Sequence, residues 1–345
     1  MITIKDISKR SGFSVTTISK VLNNYSDISV QTRKKVLAIC DEMGYVPNSS
    51  ARSLKTHKSY TIGIIFEEET NLGLQHPLFS KILESFKHVV QSKGYDILFL
   101  AKSMGKGNGS YLQHSMRKQV EAIFVLCEDF NSEEMLELYS SKLPIVIIDF
   151  MVPQKTTVTS NNEAGIRQGV SFLRDLGHRD IAHIHGADDT YIGGQRKTAF
   201  EQAMRRYDLP LREEFLVPGD FFTKEEGYRA MKKIFSLPEQ PTAVFCASDM
   251  LAIGAMQAIR EADKRIPEDY SIIGFDGIDI GQLVTPRLTT IRQDTRKMGD
   301  ISAQKILQMI ENRTQAVQAD VITVDTYLIN GESTAVLKEA KRGPL

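Results

Sequence analysis

The chain has 345 residues, of which 41% are hydrophobic and 25% charged; this is the composition of an ordinary globular protein and excludes a disordered or low-complexity one. Its length exceeds one ordinary domain, so two or three domains with real cores are expected. The formal net charge of zero is unevenly placed: residues 1–58 carry ten Lys and Arg against four Asp and Glu, the remainder 33 against 39, so a basic head suited to a polyanion is joined to an acidic body.

In chain order, Thr3-x-x-Asp6 has the form of a capping box and predicts a helix from about Ile4, with Ile4, Ile7 and Ser8 on one face. Gly12 permits a tight turn, and Ser14 is a good N-cap for a second helix. The stretch SGFSVTTISKVLNN contains a β-branched run, Val15 to Ile18, which is strand chemistry. Helical spacing nevertheless gathers Ile18, Val21 and Leu22 on an inner side. Thr16 and Lys20 point the other way, flanked by Thr17 and Ser19. A third helix follows Ser29, with Val30, Val36, Leu37, Ile39 and Cys40 as apolar positions. Two short helices about a Gly turn, followed by a third, form the helix-turn-helix pattern. Its second helix enters the major groove, where Thr and Lys side chains meet base edges. The competing reading is a small solvated bundle, against which the basic charge and the turn spacing both speak.

After Pro47, Asn48 or Ser49 can cap a short helix through Leu54. Some seven residues cannot hold a helix alone, so the segment is a plain linker or a helix formed on binding. Arg52, Lys55 and Lys58 are basic, and Leu54 is the kind of apolar wedge that enters a minor-groove base step.

From Tyr60 the apolar runs TIGIIF, DILFLA, AIFVL, PIVIID, DIAHIH, TAVFCA and SIIGF alternate with helical stretches, which predicts parallel sheets covered on both faces. Two doubly wound lobes, with crossings near Asn161, Pro286–Gln293 and Thr323, accommodate so many units better than one sheet. A ligand crevice is expected beyond the carboxyl ends of the strands. Those ends bring Glu67, Ser103, Cys127, Asp149 with Phe150, Gly186 to Arg196, Gly219 to Phe221, Ser248 with Asp249, and Asp276. Carboxylates and a forked guanidinium suit neighbouring hydroxyls, and a Phe offers a wall to a sugar ring. The alternative for Asp149, Arg196 and Asp276 is a structural ion-pair network across the cleft.

Other signals are weaker. GKGNGS lacks phosphate-loop spacing, and His183 with His185 has no third metal ligand nearby. Cys40, Cys127 and Cys246 suit reduced thiols. No motif signals enzyme chemistry, a metal or a cofactor. The absence of an apolar leader and of a membrane-length run leads to the expectation of a cytoplasmic protein with no membrane association.

The stretches TIKDISKRSGFSVTTISKVLN, TRKKVLAICDEMGYVPN and ARSLKTHKSYTIGII, followed by GHRDIAHIHG, PTAVFCASDMLAIGAMQAI, SIIGFDGID and PRLTTIRQD, closely resemble the lactose-repressor (LacI/GalR) family of bacterial transcription regulators. The resemblance implies a small all-α helix-turn-helix head on an α/β body of two doubly wound parallel-sheet lobes, periplasmic-binding-protein-like. The expected domains are 1–46 for DNA, 47–59 for a hinge helix and linker, and 60–345 for effector binding and dimerisation. Within the last, lobe one takes about 60–160 and 292–323, and lobe two about 161–291 and 324–340. The implied function is a repressor that binds a palindromic operator as a homodimer under control of a small effector.

Base contacts implied are Val15, Thr16, Thr17, Lys20 and, as the wedge, Leu54; phosphate contacts are Thr3, Ser14, Asn24 and Tyr45, with basic Arg52 and Lys55. Thr17 also matches a phosphate-holding position. Effector contacts are Phe79, Asp149, Thr190, Arg196, Phe221, Ser248 and Asp276. There are departures. Leu78 replaces a frequent aromatic, Thr190 and Ile192 do not match the polar residues of a purine-binding member, and Gly331 stands where an Arg is usual. The tail after Thr334 is too short for a heptad helix, which favours a dimer over a tethered tetramer. Two alternatives remain: a regulator controlled by a protein partner with an inert cleft, and a sugar-binding receptor without DNA function.

Overall fold

The computed structural model describes residues 2–22, 25–45, 58–67, 72–104, 107–188, 190–220, 222–312 and 319–337, the side chains of 103–104 and 107–108 excepted. Two compact units meet at Tyr60 and Thr61.

The head consists of α1 (Ile4–Ser11), α2 (Val15–Leu22) and α3 (Val30–Met43). Its punctuation is local. The Asp6 carboxylate accepts the Thr3 amide at 2.9 Å and the Thr3 hydroxyl at 2.7 Å, which starts α1. Gly12 ends it at φ 73°, a left-handed conformation that Gly adopts without steric cost. Ser14 Oγ accepts the Thr17 amide at 3.0 Å, and Ser29 Oγ the Thr32 amide at 3.1 Å, capping the next two helices. Ile7, Ile18, Val21, Val36 and Cys40 form the buried core, against which Ile4, Phe13, Leu22, Ile28, Ile39, Met43 and Tyr45 pack. Val30 and Leu37 are exposed, because each stands about 100° or more around α3 from Val36.

The body contains two six-stranded sheets. In the first, β1 (Thr61–Phe66), β2 (Asp96–Phe99), β5 (Ala122–Cys127), β6 (Ile145–Ile148), β7 (Thr156–Ser160) and β13 (Val321–Val324) run parallel in the order β13-β7-β6-β5-β1-β2. A hairpin of β3 (Ser103–Met104) and β4 (Gly107–Asn108) follows β2. Helices α4 (Phe79–Ser92), α5 (Tyr111–Arg117), α6 (Glu133–Tyr139) and α11 (Thr295–Glu311) belong to this lobe.

The second sheet has the order β14-β12-β11-β10-β8-β9. It is built from β8 (Ile181–His185), β9 (Leu216–Pro218), β10 (Ala243–Cys246), β11 (Ser271–Asp276), β12 (Thr289–Gln293) and β14 (Thr326–Ile329), with only β14 antiparallel. Helices α7 (Asn162–Asp175), α8 (Tyr191–Arg206), α9 (Lys224–Phe235) and α10 (Asp249–Glu261) cover it. Helices α9 and α10 cross at two glycines. A Cβ on Gly254 would lie 1.9 Å from the Lys224 carbonyl oxygen, and one on Gly227 would lie 2.1 Å from that of Leu251.

The chain passes between the sheets after β7, after β12 at Asp294 and between β13 and β14 at Asp325. Beyond β14 it doubles back over the second sheet, where buried Ser333 accepts the Ile272 amide on its carbonyl at 2.7 Å and donates its hydroxyl to the Ile272 carbonyl at 2.6 Å. This places two sets of strand ends against one crevice, as doubly wound topology requires.

Candidate functional site

On the head, packing of Ile18 and Val21 leaves Val15 and Thr16 exposed at the start of α2. Thr17 is half-buried, its hydroxyl 2.9 Å from Ser14 Oγ. Lys20 is ion-paired with Asp27, whose carboxyl is pulled below its ordinary range by that hydrogen bond. The Lys20 side chain is 38% exposed and that of Asp27 54%, so this is a surface pair that contributes little to stability. The Thr3 and Ser14 hydroxyls serve the caps described above. Tyr45 leans on the head core, and burial raises its phenol above the usual range. Asn24, Arg52, Leu54 and Lys55 lie outside the described residues.

In the body, Arg196 projects from α8 and is 3% exposed. Its guanidinium lies over the Phe275 ring, 3.9 Å from the centroid. It donates from Nε to Asn162 Oδ1 at 2.9 Å, and from Nη1 to the Ala247 carbonyl at 2.6 Å and Asp276 Oδ1 at 3.2 Å. Gln293, the last residue of β12, donates to the same Asp276 oxygen at 2.6 Å and accepts the Ser160 hydroxyl at 2.6 Å. Ser160 closes β7 of the first sheet, so one polar chain runs from Arg196 through Asp276 and Gln293 into the other lobe.

Asp149, just past β6, accepts the Thr159 hydroxyl at 2.7 Å and the Ser160 amide at 3.3 Å, both on Oδ1. Asp149 and Asp276 have φ of 54° and 112°, a strained region for non-glycine residues and one often found at functional sites. Burial pushes the Asp276 carboxyl up to about 6 against the pull of Arg196. Asp149 is also raised by burial, opposed by the Thr159 hydrogen bond and Arg196. Beneath them Asp249 is fully buried and accepts the Thr290 hydroxyl and the Ile278 amide; burial, then the charge of Asp276, raises it well above the carboxylate range.

The structure pairs Arg196 with Asp276 and brings Asp149 within reach of the Arg196 charge. Thr190 and Ser248 are present at the strand ends, but their hydroxyls cap α8 and α10, accepting the Gly193 amide at 3.2 Å and the Leu251 amide at 3.1 Å. Phe79, at the start of α4, meets Phe66 edge-on at 5.6 Å and His76 at 4.6 Å. Phe221 lies outside the described residues; its neighbour Phe222 is held beside Gly186, where a Cβ would come within 2.2 Å of the ring, and faces Arg196 at 6.0 Å.

Sequence reasoning did not single out Tyr191, whose ring meets Phe150 of the other lobe at 5.7 Å, nor Asn162 and Gln293. In lobe one it named Glu67 but missed the cluster that Glu67 adjoins. Glu128, past β5, has a buried carboxylate that takes the Lys102 ammonium, the Tyr111 hydroxyl at 3.2 Å and the Ser132 hydroxyl at 3.3 Å. Glu67 lies 3.8 Å from the same ammonium. The available signal was a charged residue just beyond an apolar run, the same signal that Asp149 gave. Lys81 of α4 bridges to Asp279 of lobe two at 2.6 Å. Beside this bridge Leu78, Asp276, Ile278 and Arg292 line a void of only about 10 Å³.

His183 and His185 are buried in the second lobe, His183 stacked on Phe200 at 4.5 Å with Nδ1 donating to the Phe245 carbonyl at 2.7 Å. Among the described residues no group of three or more His, Cys, Asp and Glu side chains could hold a metal, and no helix is long and apolar enough to cross a membrane. The three cysteines are unbridged.

Residues 3–48 match the bacterial regulatory proteins of the lacI family, and residues 170–334 match the periplasmic binding protein-like domain. The chain is 34% identical to the probable HTH-type transcriptional repressor ExuR of Bacillus subtilis, over 92% of this chain and 94% of that one. It is 35% identical to the HTH-type transcriptional repressor PurR of Erwinia tasmaniensis, over 97% of both. Among solved structures, a lac repressor dimer bound to operator and the anti-inducer ONPF superposes with a TM-score of 0.80 at 26% identity, covering 97% of this chain and 99% of that one.

Proposed function

Because the chain belongs to the lacI family of bacterial regulatory proteins, DNA-binding transcriptional repressors with an effector-binding domain, we propose that it acts as a cytoplasmic homodimer on a palindromic operator, with a carbohydrate effector setting its affinity. Residues 1–46 read the DNA, 47–59 form the hinge and 60–345 bind effector and partner subunit. Val15, Thr16, Thr17 and Lys20 face bases, with Leu54 as the central wedge. Thr3, Ser14, Asn24, Tyr45, Arg52 and Lys55 hold phosphates.

The observation that carries the effector reading is the chain from Arg196 through Asp276 and Gln293 to Ser160. Asp149 and Asp276 each use Oδ1 for their hydrogen bonds with described residues, which leaves Oδ2 to accept ligand hydroxyls. Phe79, Thr190, Phe221 and Ser248 complete the site. A ligand that enters here separates or re-angles two lobes joined by three strands, and the shift passes to the dimer interface and the hinge. The test is selection of genomic fragments by the purified protein, followed by sugar titration of the complex. A shared inverted repeat whose binding responds to a sugar is expected; fragments with no common repeat exclude the reading.

One observation favours a second reading, control by a protein partner. An open groove of about 570 Å³ on lobe one is lined by Leu112, Met116, Val120, Leu143 and Pro144, and Met116 is exposed. A sugar panel in a thermal-shift assay separates the two, since a true effector raises the melting midpoint by mass action.

A further inference from the structure

Helix α2 carries a single charge, Lys20, and that charge is already paired. Of the four acids in residues 1–58, Asp6 binds Thr3 to start α1, Glu42 pairs with Arg10 at 2.8 Å and Asp41 is exposed on α3. Among the described residues, Asp27 is the one acid that meets a side chain of α2. It reaches Lys20 from the turn between α2 and α3, and that turn is tied down. The Tyr25 amide donates to the Lys20 carbonyl at 3.0 Å, and Arg33 of α3 donates to the Tyr25 carbonyl at 2.6 Å. Ile28 packs on the head core and Ser29 caps α3. Asp27 stands between these fixed points, so its carboxylate has a set place beside α2. The lysine stem is flexible and has no set place of its own.

We propose that Asp27 is a positioning residue for DNA readout: it holds the Lys20 ammonium toward the base edges and away from the phosphates, and so sets sequence specificity rather than affinity. This rests on the reading of Lys20 as a base contact. An ammonium has three N–H donors; Asp27 takes one, and two remain for the guanine acceptors of the major groove. The pair therefore stays intact while Lys20 reads a base. To grip a phosphate instead, Lys20 must leave Asp27, and the carboxylate then stands unpaired against a polyanion with one charge per about 1.7 Å of axis. Non-operator DNA, which offers phosphates without the matching base, meets that penalty in full. The surface pair adds little to folding, so its effect is confined to the DNA complex.

The experiment selects a duplex from a random-sequence library with the full-length protein. Affinity is then measured by fluorescence anisotropy for that duplex and for a shuffled duplex of the same composition. Asp27→Asn should tighten the shuffled duplex by about threefold to tenfold and leave the selected one within about twofold. The salt slope on the shuffled duplex should steepen by about one per head, as the released Lys20 reaches a phosphate. Selection repeated with Asp27→Asn should lose preference at the same base pair that Lys20→Ala loses, and the double variant should lose no more than either. Asp41→Asn, which removes an equal charge from α3, should shift both duplexes alike and keep the preference. Equal shifts on both duplexes in Asp27→Asn, or an unaltered base preference, overturn the proposal; Lys20 stays a base contact if Lys20→Ala alone relaxes the preference. A Lys20→Ala protein that keeps every preference removes both.

Discussion

Lys20 shows what a single residue gains from being seen in place. Its outward position was legible from helical spacing alone, whereas its Asp27 partner was not, since seven residues and a turn separate them. Lys20→Ala should relax preference at one base pair by about 1–3 kcal/mol, read by competition between operator variants. A uniform loss on all sequences would assign Lys20 to phosphate. Asp276 was legible because it closes β11, and Arg196 because the stretch that follows β8, Gly186 to Arg196, was read as part of that strand's end. Gln293 and Tyr191 were not, because their importance depends on which lobe faces them. His183 supplies a pH prediction. Burial lowers its folded pKa to about 3, while the unfolded value is about 6.5. The folded state therefore resists a proton that the unfolded chain accepts. Stability is full above pH 6.5 and falls as pH drops toward 3, by about 1.4 kcal/mol per unit. Between pH 7 and pH 5 the unfolding free energy from urea titration should fall by about 2 kcal/mol less in His183→Phe than in the parent protein.

At the scale of elements, helix ends were read best, because a cap is decided within four residues. Thr3 with Asp6, Gly12, Ser14 and Ser29 all perform as their local chemistry requires. The β-branched start of α2 stays helical because Ile18 and Val21 are buried in the head core, so tertiary packing overrides propensity. Ser14→Ala should cost about 1 kcal/mol of head stability, measured by thermal unfolding of the head signal. The crossing of α9 and α10 was illegible, since a glycine inside a helix reads as weakness until the partner is known. Gly254→Ala places a methyl against the Lys224 carbonyl and should destabilise the body by at least about 2 kcal/mol in chemical denaturation.

For the whole molecule, the central strands were legible as apolar runs because they are covered on both faces. The edge strands β9, β13 and β14 were not, being short and partly exposed. The Lys81–Asp279 bridge joins α4 of one lobe to the segment after β11 in the other. An exposed ion pair contributes up to about 1 kcal/mol, so Lys81→Ala should ease lobe separation and tighten an effector that favours it by up to about fivefold. Calorimetry on parent and variant checks this; unchanged affinity would mean the bridge does not bias the lobes.

The last crossing bears on how the chain is made. Strand β13 completes the edge of the first sheet and β14 that of the second, with Asp325 alone between them. A ribosome finishes neither lobe until Val321–Val324 and Thr326–Ile329 have been made. Until then the nascent chain carries unfinished sheets with bare hydrogen-bonding edges, the state in which chains are open to aggregation and chaperone capture. A chain broken before residue 320 would hold no complete lobe, since both would lack their closing strand.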